Sequence, residues 1–165
     1  SNALPFSVGM KLTPNNFRVT QSGVTYSTIG NMDMLMTVNS GSYVLIEITD
    51  NSTRQVTGGG TDVTYKMSNY HVRTEASGTQ MKLSVNGDIN IPLLGANTVT
   101  VQTNTPFTSS INTGIPASGQ ATLRAANGGQ IRVTANNTPN ALIEFDANMD
   151  GIYETSKSEA WSNVL

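Results

Sequence analysis

The sequence predicts an all-β fold, an antiparallel meander or sandwich of about ten to twelve strands. Apolar residues recur at every second position in nearly every segment, the pattern of a half-buried strand. Turn dipeptides containing Gly or Asn punctuate the chain at short intervals. The composition is rich in Thr, Asn, Ser and Gly and only 6% aromatic, which suits strands joined by tight turns better than helices.

Ser1-Asn2-Ala3 reads as a tag remnant, leaving residues 4–165 as a single all-β domain. Phe17-Arg-Val-Thr-Gln alternates up to Ser22-Gly23, and Val24-Thr-Tyr-Ser-Thr-Ile resumes beyond it, the signature of a hairpin. Met32, Met34, Met36 and Val38 then share one face of a strand. These methionines read first as core filling by unbranched side chains and second as an adaptable binding surface. After the break Asn39-Ser-Gly-Ser, Tyr43-Val-Leu-Ile-Glu-Ile-Thr is apolar enough to be buried on both faces. Asp50-Asn-Ser-Thr is expected to turn the chain and Gly58-Gly-Gly to form a flexible crossing, since residues without a Cβ lose most entropy inside a strand.

A second set of strands echoes the first. Asn69-Tyr-His-Val and Ser77-Gly78 answer Asn16-Phe-Arg-Val and Ser22-Gly23, which suggests a weak internal duplication of 16–57 in 69–105. Chance similarity among Thr/Ser-rich strands is the alternative. Asn86-Gly87 is expected to form a type I′ turn between Leu83-Ser-Val and Asp88-Ile-Asn-Ile. The strand at Val99 to Thr103 is expected to stop at Pro106, with 106–116 as a connection.

The hairpin region 115–165 follows, with strands at Gln120 to Arg124 and Gln130 to Ala135, a turn at Asn127-Gly-Gly and a break at Asn136-Asn-Thr-Pro139. Its last hairpin should pack onto the preceding strands through Phe145 and Trp161. Trp161, near Val164 and Leu165, reads as a core plug, with a sugar-stacking platform as the alternative.

Composition excludes several function classes. With 12% charged residues and net charge −2, the chain has no basic stripe to grip phosphates, so nucleic acid is not an expected partner. Cysteine is absent, which removes disulfides, thiol catalysis and thiolate metal sites together. No apolar run approaches the roughly 18 residues that span a bilayer, so no transmembrane segment is expected; a signal peptide or lipid-bearing cysteine would have preceded residue 4. His71 is the only histidine, and Gly114-Ile-Pro-Ala-Ser118-Gly119 lacks the spacing of a nucleophile elbow. The chain therefore reads as a non-enzyme.

One segment carries chemistry. Asp146, Asn148 and Asp150 place oxygen donors at alternate positions, Gly151 follows at once, and Ile152 and Glu154 complete a set of hard donors. On a regular strand, side chains two apart stand roughly 6.8 Å from one another, too far to share a cation held at about 2.3 to 2.6 Å. Calcium binding therefore requires a wound loop, with Asp146, Asn148 and Asp150 giving side-chain oxygens, Ile152 its carbonyl, and Glu154 a ligand directly or through water. Lys157 occupies the position of an EF-hand's bidentate Glu, so a true EF-hand is excluded. The alternative is a plain hairpin with Asp150-Gly151 as a two-residue turn and solvated acids.

The order Ile115-Pro-Ala-Ser-Gly119, Ala126-Asn-Gly128, Ile131-Arg-Val-Thr, Phe145-Asp-Ala-Asn-Met-Asp-Gly-Ile-Tyr-Glu and Trp161 resembles the C-terminal region of uncharacterised bacterial secreted or lipoprotein all-β domains. The resemblance implies export to the periplasm, outer membrane or exterior, and a structural or binding role toward an unknown protein or glycan. An adhesin-like carbohydrate- or protein-binding module is the second reading. Asn148 stands where such loops usually carry an acid, which would weaken an ion site.

Overall fold

Among the described residues, period-two alternation is realised as eleven antiparallel strands in one sheet, a meander rather than a sandwich. The computed structural model describes residues 4–58, 62–91, 97–126 and 128–164, with backbone alone at Ser40, Ile91 and Asn97. Ser1-Asn2-Ala3, Gly59-Gly60, Asn127 and Leu165 lie outside the described residues. The strands are β1 (Phe6–Leu12), β2 (Phe17–Gln21), β3 (Val24–Ser40), β4 (Tyr43–Thr57), β5 (Val63–Ser77) and β6 (Gln80–Ile91). They continue as β7 (Asn97–Ser110), β8 (Pro116–Ala125), β9 (Gln130–Asn136), β10 (Asn140–Asp146) and β11 (Thr155–Ala160). From β3 onward each strand pairs with the next in sequence, while β1 and β2 both pair with β3. A 3-10 turn, Trp161–Asn163, is the one helical element among the described residues.

The Ser22-Gly23 hairpin forms as its sequence requires, with Gln21 opposite Val24 and positive φ at both turn residues (52° and 80°). Three other expected breaks are not breaks. β4 runs through Asp50 to Thr53, β6 through Asn86-Gly87 and β7 through Pro106, and the connection expected over 106–116 shrinks to residues 111–115. Each of these sites lies at or beside a bulge, where the register shifts between Asp50 and Thr53, Leu83 and Asn86, or Thr105 and Thr108. Residues that favour turns because their side chains bond to nearby backbone do the same service at a bulge. Asn51 Oδ1 accepts the Asn69 N–H at 2.7 Å, and Asn86 Oδ1 accepts the Thr103 N–H at 3.0 Å. Pro106, which has no N–H to give, sits in the interrupted stretch of ladder. Gly87 has φ 128° because a Cβ there would lie 2.4 Å from the Asn69 carbonyl oxygen, a close approach between strands and not a type I′ turn.

Register assigns the two faces of the sheet. Leu12, Met10 and Val8 of β1 stand opposite Met32, Met34 and Met36 of β3. Beyond them, Met34 and Met36 stand opposite Ile48 and Ile46 of β4. The other face is polar: Arg73 donates to Glu47 at 3.0 Å and ion-pairs with Glu75 at 2.7 Å. Tyr43 to Thr49 is accordingly half-buried throughout and not buried on both faces, because half of its side chains look onto this ionic surface.

The methionine face is not a closed core either. The chain exposes 9817 Å², whereas a folded monomer of this mass exposes roughly 7,900 Å², so much of the sheet has nothing packed on it. The fully buried apolar residues gather near the chain's end, where Trp161 (4% exposed) packs with Ala135 and Ala141, flanked by Phe107, Val133 and Ile143. Trp161 is thus a core plug.

Candidate functional site

The acidic segment forms a wound loop. β10 ends at Asp146 and β11 begins at Thr155, so residues 147–154 connect them, which rules out Asp150-Gly151 as a two-residue turn. Met149 (φ 60°) and Gly151 (φ 89°) take left-handed conformations that curl the backbone inward. Four backbone N–H groups then point at the loop's own oxygens. Asp146 Oδ2 accepts from Gly151 at 3.0 Å, Asn148 Oδ1 from Asp150 at 3.0 Å, Asp150 Oδ1 from Ile152 at 2.8 Å, and Glu154 Oε2 from Ala147 at 3.0 Å.

These bonds bring Asp146, Asp150 and Glu154 together, each offering one oxygen within 4.8 Å of the other two. Asn148 joins them by donating its amide to Asp150 Oδ2 at 3.0 Å, and Ile152 through its backbone N–H, its side chain being exposed. Asp150 and Glu154 are exposed, but Asp146 is 1% exposed and its Oδ1 has no hydrogen-bond partner. Lys157 lies outside the loop on β11, paired with Glu159 at 3.3 Å. A group of hard oxygens of this kind can hold a divalent cation.

The loop is fastened to the sheet by Tyr153. The Arg132 guanidinium carbon lies 3.8 Å from the centre of its ring, and Gln130 donates to its hydroxyl. Arg132 in turn bonds Glu144 through two nitrogens, at 2.7 and 2.8 Å. That bidentate pairing holds the Glu144 carboxyl below the usual glutamate range and raises the Arg132 pKa.

Several concavities lie along the described sheet, two of them larger than the others. One, of about 420 Å³, is walled by Ile89, Val101, Leu123, Ile131 and Phe145, so Phe145 lines a cavity instead of joining the Trp161 cluster. The other, of about 760 Å³, lies between Leu12, Phe17, Met32 and Arg54. Arg54 is paired with the buried Asp50 at 2.5 Å, while Asp50 Oδ1 and the neighbouring Ser52 Oγ have no partner. Burial is the main cause that raises the Tyr70 pKa beside them.

His71 sits on β5 with its Nε2 3.9 Å from Glu47, and Ser118 lies within β8 opposite Asn136. Sequence reasoning missed the two concavities and the Tyr153 anchor. Leu12, the last residue of the period-two run Phe6, Val8, Met10 and Leu12, is the one member of that run that walls the larger of the two. No family model, curated protein or solved structure matches the chain.

Proposed function

We propose that this chain is a non-enzymatic domain exported to the bacterial envelope or surface, where it binds a protein partner through the apolar face of β1, β2 and β3. One observation carries the reading. Val8, Met10, Leu12, Phe17, Val19 and Tyr26 fall on one face by register and are each between 42% and 63% exposed. Single exposed apolar residues are ordinary, but a contiguous group is the mark of an interaction surface. Methionines 32, 34 and 36 floor the patch, and their flexible thioether chains adapt to a partner's shape. Export is supported by the resemblance of the last third of the chain to secreted and lipoprotein β-domains. The non-enzymatic reading is supported by the mainly apolar lining of the 420 Å³ cavity, where Asp146 is the one ionisable residue, and by a lone histidine facing a carboxylate.

A carbohydrate ligand is the second reading. Phe17 and Tyr26 favour it, as exposed aromatic rings on which a sugar could stack; Trp161 is buried and gives no platform.

Photo-crosslinking residues placed at positions 10 and 19, and at the exposed polar-face position 33, test the binding surface in the producing cell. One defined protein adduct at positions 10 and 19 and none at 33 is the expected result. Absence of adducts at 10 and 19, or equal labelling at 33, overturns the reading. A glycan array tests the second.

A further inference from the structure

We infer that the loop from Asp146 to Glu154 is a calcium site, closed around one ion by a carboxylate already buried to receive it. Three acids converge there, and none of them meets a Lys or Arg side chain in an ion pair among the described residues. Acids gathered at a loop are common and need no ion. Asp146 differs, because it is 1% exposed and its Oδ1 has neither a donor nor water access. A buried carboxylate oxygen left in that condition is costly, and a cation relieves the cost directly.

The spacing and the donor type together favour calcium. Three oxygens within 4.8 Å of one another lie no more than about 2.8 Å from a common centre, so a small inward movement brings them to the 2.3 to 2.6 Å of calcium–oxygen bonds. Magnesium, at about 2.0 to 2.1 Å with strict octahedral demands, would have to draw the loop tighter. Zinc and copper would look for imidazole or thiolate, and the donors here are carboxylates with an amide oxygen beside them. Asp146, Asp150 and Glu154 are the assigned side-chain ligands, with Asn148 Oδ1 as the neutral donor. Only three carboxylates surround the ion, so affinity belongs in the range of about 10⁻⁴ to 10⁻³ M seen in extracellular modules. The assignment is independent of the apolar binding face.

Thermal unfolding of the full chain in calcium chloride and in chelator tests it, together with terbium luminescence sensitised by Tyr153. Calcium at ten times its Kd should raise the midpoint by about 3 °C. Terbium bound in the loop should emit on tyrosine excitation and be displaced by calcium. Asp146→Asn should bind calcium at least tenfold more weakly and yet, in chelator, melt no lower than the parent, since it removes an unpaired buried charge. If that variant does not fold, Glu154→Gln, at an exposed position, should show the same loss of affinity. Identical melting in calcium and chelator overturns the assignment. So does an equal response to magnesium, or a parental calcium response in both variants.

Discussion

Trp161 stands edge-on to Phe107, with ring centroids 5.9 Å apart and planes at 79°. Phe107 belongs to β7, so the last turn of the chain reaches back across β8 to β11 to touch it. The floor beneath is made of small residues: Gly119 stands opposite Ala135, and a Cβ on Gly119 would lie 2.5 Å from the Phe107 Cα. Trp161→Ala should therefore lower unfolding free energy by about 3 to 5 kcal/mol. Urea denaturation followed by circular dichroism measures this, and a loss below 1 kcal/mol would return Trp161 to the status of a surface ring.

Gly87→Ala should cost about 3 kcal/mol, through a left-handed φ and a collision with the Asn69 carbonyl. A Tm unchanged from the parent would mean that β5 and β6 are farther apart there than described.

The Arg132–Glu144 pair makes stability depend on pH. Its bonds to Arg132 hold the Glu144 carboxyl below the ordinary value of about 4.3, so the unfolded chain binds more protons between the two values. The stabilisation is complete above the unfolded pKa and is lost as pH falls through the lower folded one. Urea midpoints should drop on acidification from about pH 5 to pH 3 in the parent, and less steeply in Glu144→Gln. Equal slopes would show that the pair does not contribute.

Met10→Ser distinguishes a binding face from a core. On an uncovered face the change should move stability by no more than about 0.5 kcal/mol, whereas in a packed core it would cost several times that. It should also weaken the fluorescence of an apolar dye adsorbed on the native chain. A large loss of stability with unchanged dye binding would place Met10 in a core.

Much of this architecture was legible because strand alternation is local. The Met32 to Val38 face, the Ser22-Gly23 hairpin and the packing of Trp161 follow from residues and spacing alone. The errors share a physical cause: Asp50-Asn-Ser-Thr, Asn86-Gly87 and the stretch at Pro106 carry turn chemistry, and the same chemistry mends a bulge within a long strand. Which of the two occurs depends on the neighbouring strand, and one sequence segment cannot state its neighbour. β1 is legible in Phe6, Val8, Met10 and Leu12, whereas the cover over a strand's apolar face is not, since alternation marks that face without saying whether anything packs on it.

The strand order also determines how the molecule can be made. From β3 to β11 every strand lies against the one synthesised just before it, so a chain emerging from a ribosome or a translocation channel never has to wait for a distant partner. The sheet can grow at one advancing edge, each hairpin serving as the template for the next. When Trp161 emerges, a contact reaches back over four strands to Phe107, so the final residues act as a latch that separates a growing sheet from a finished one.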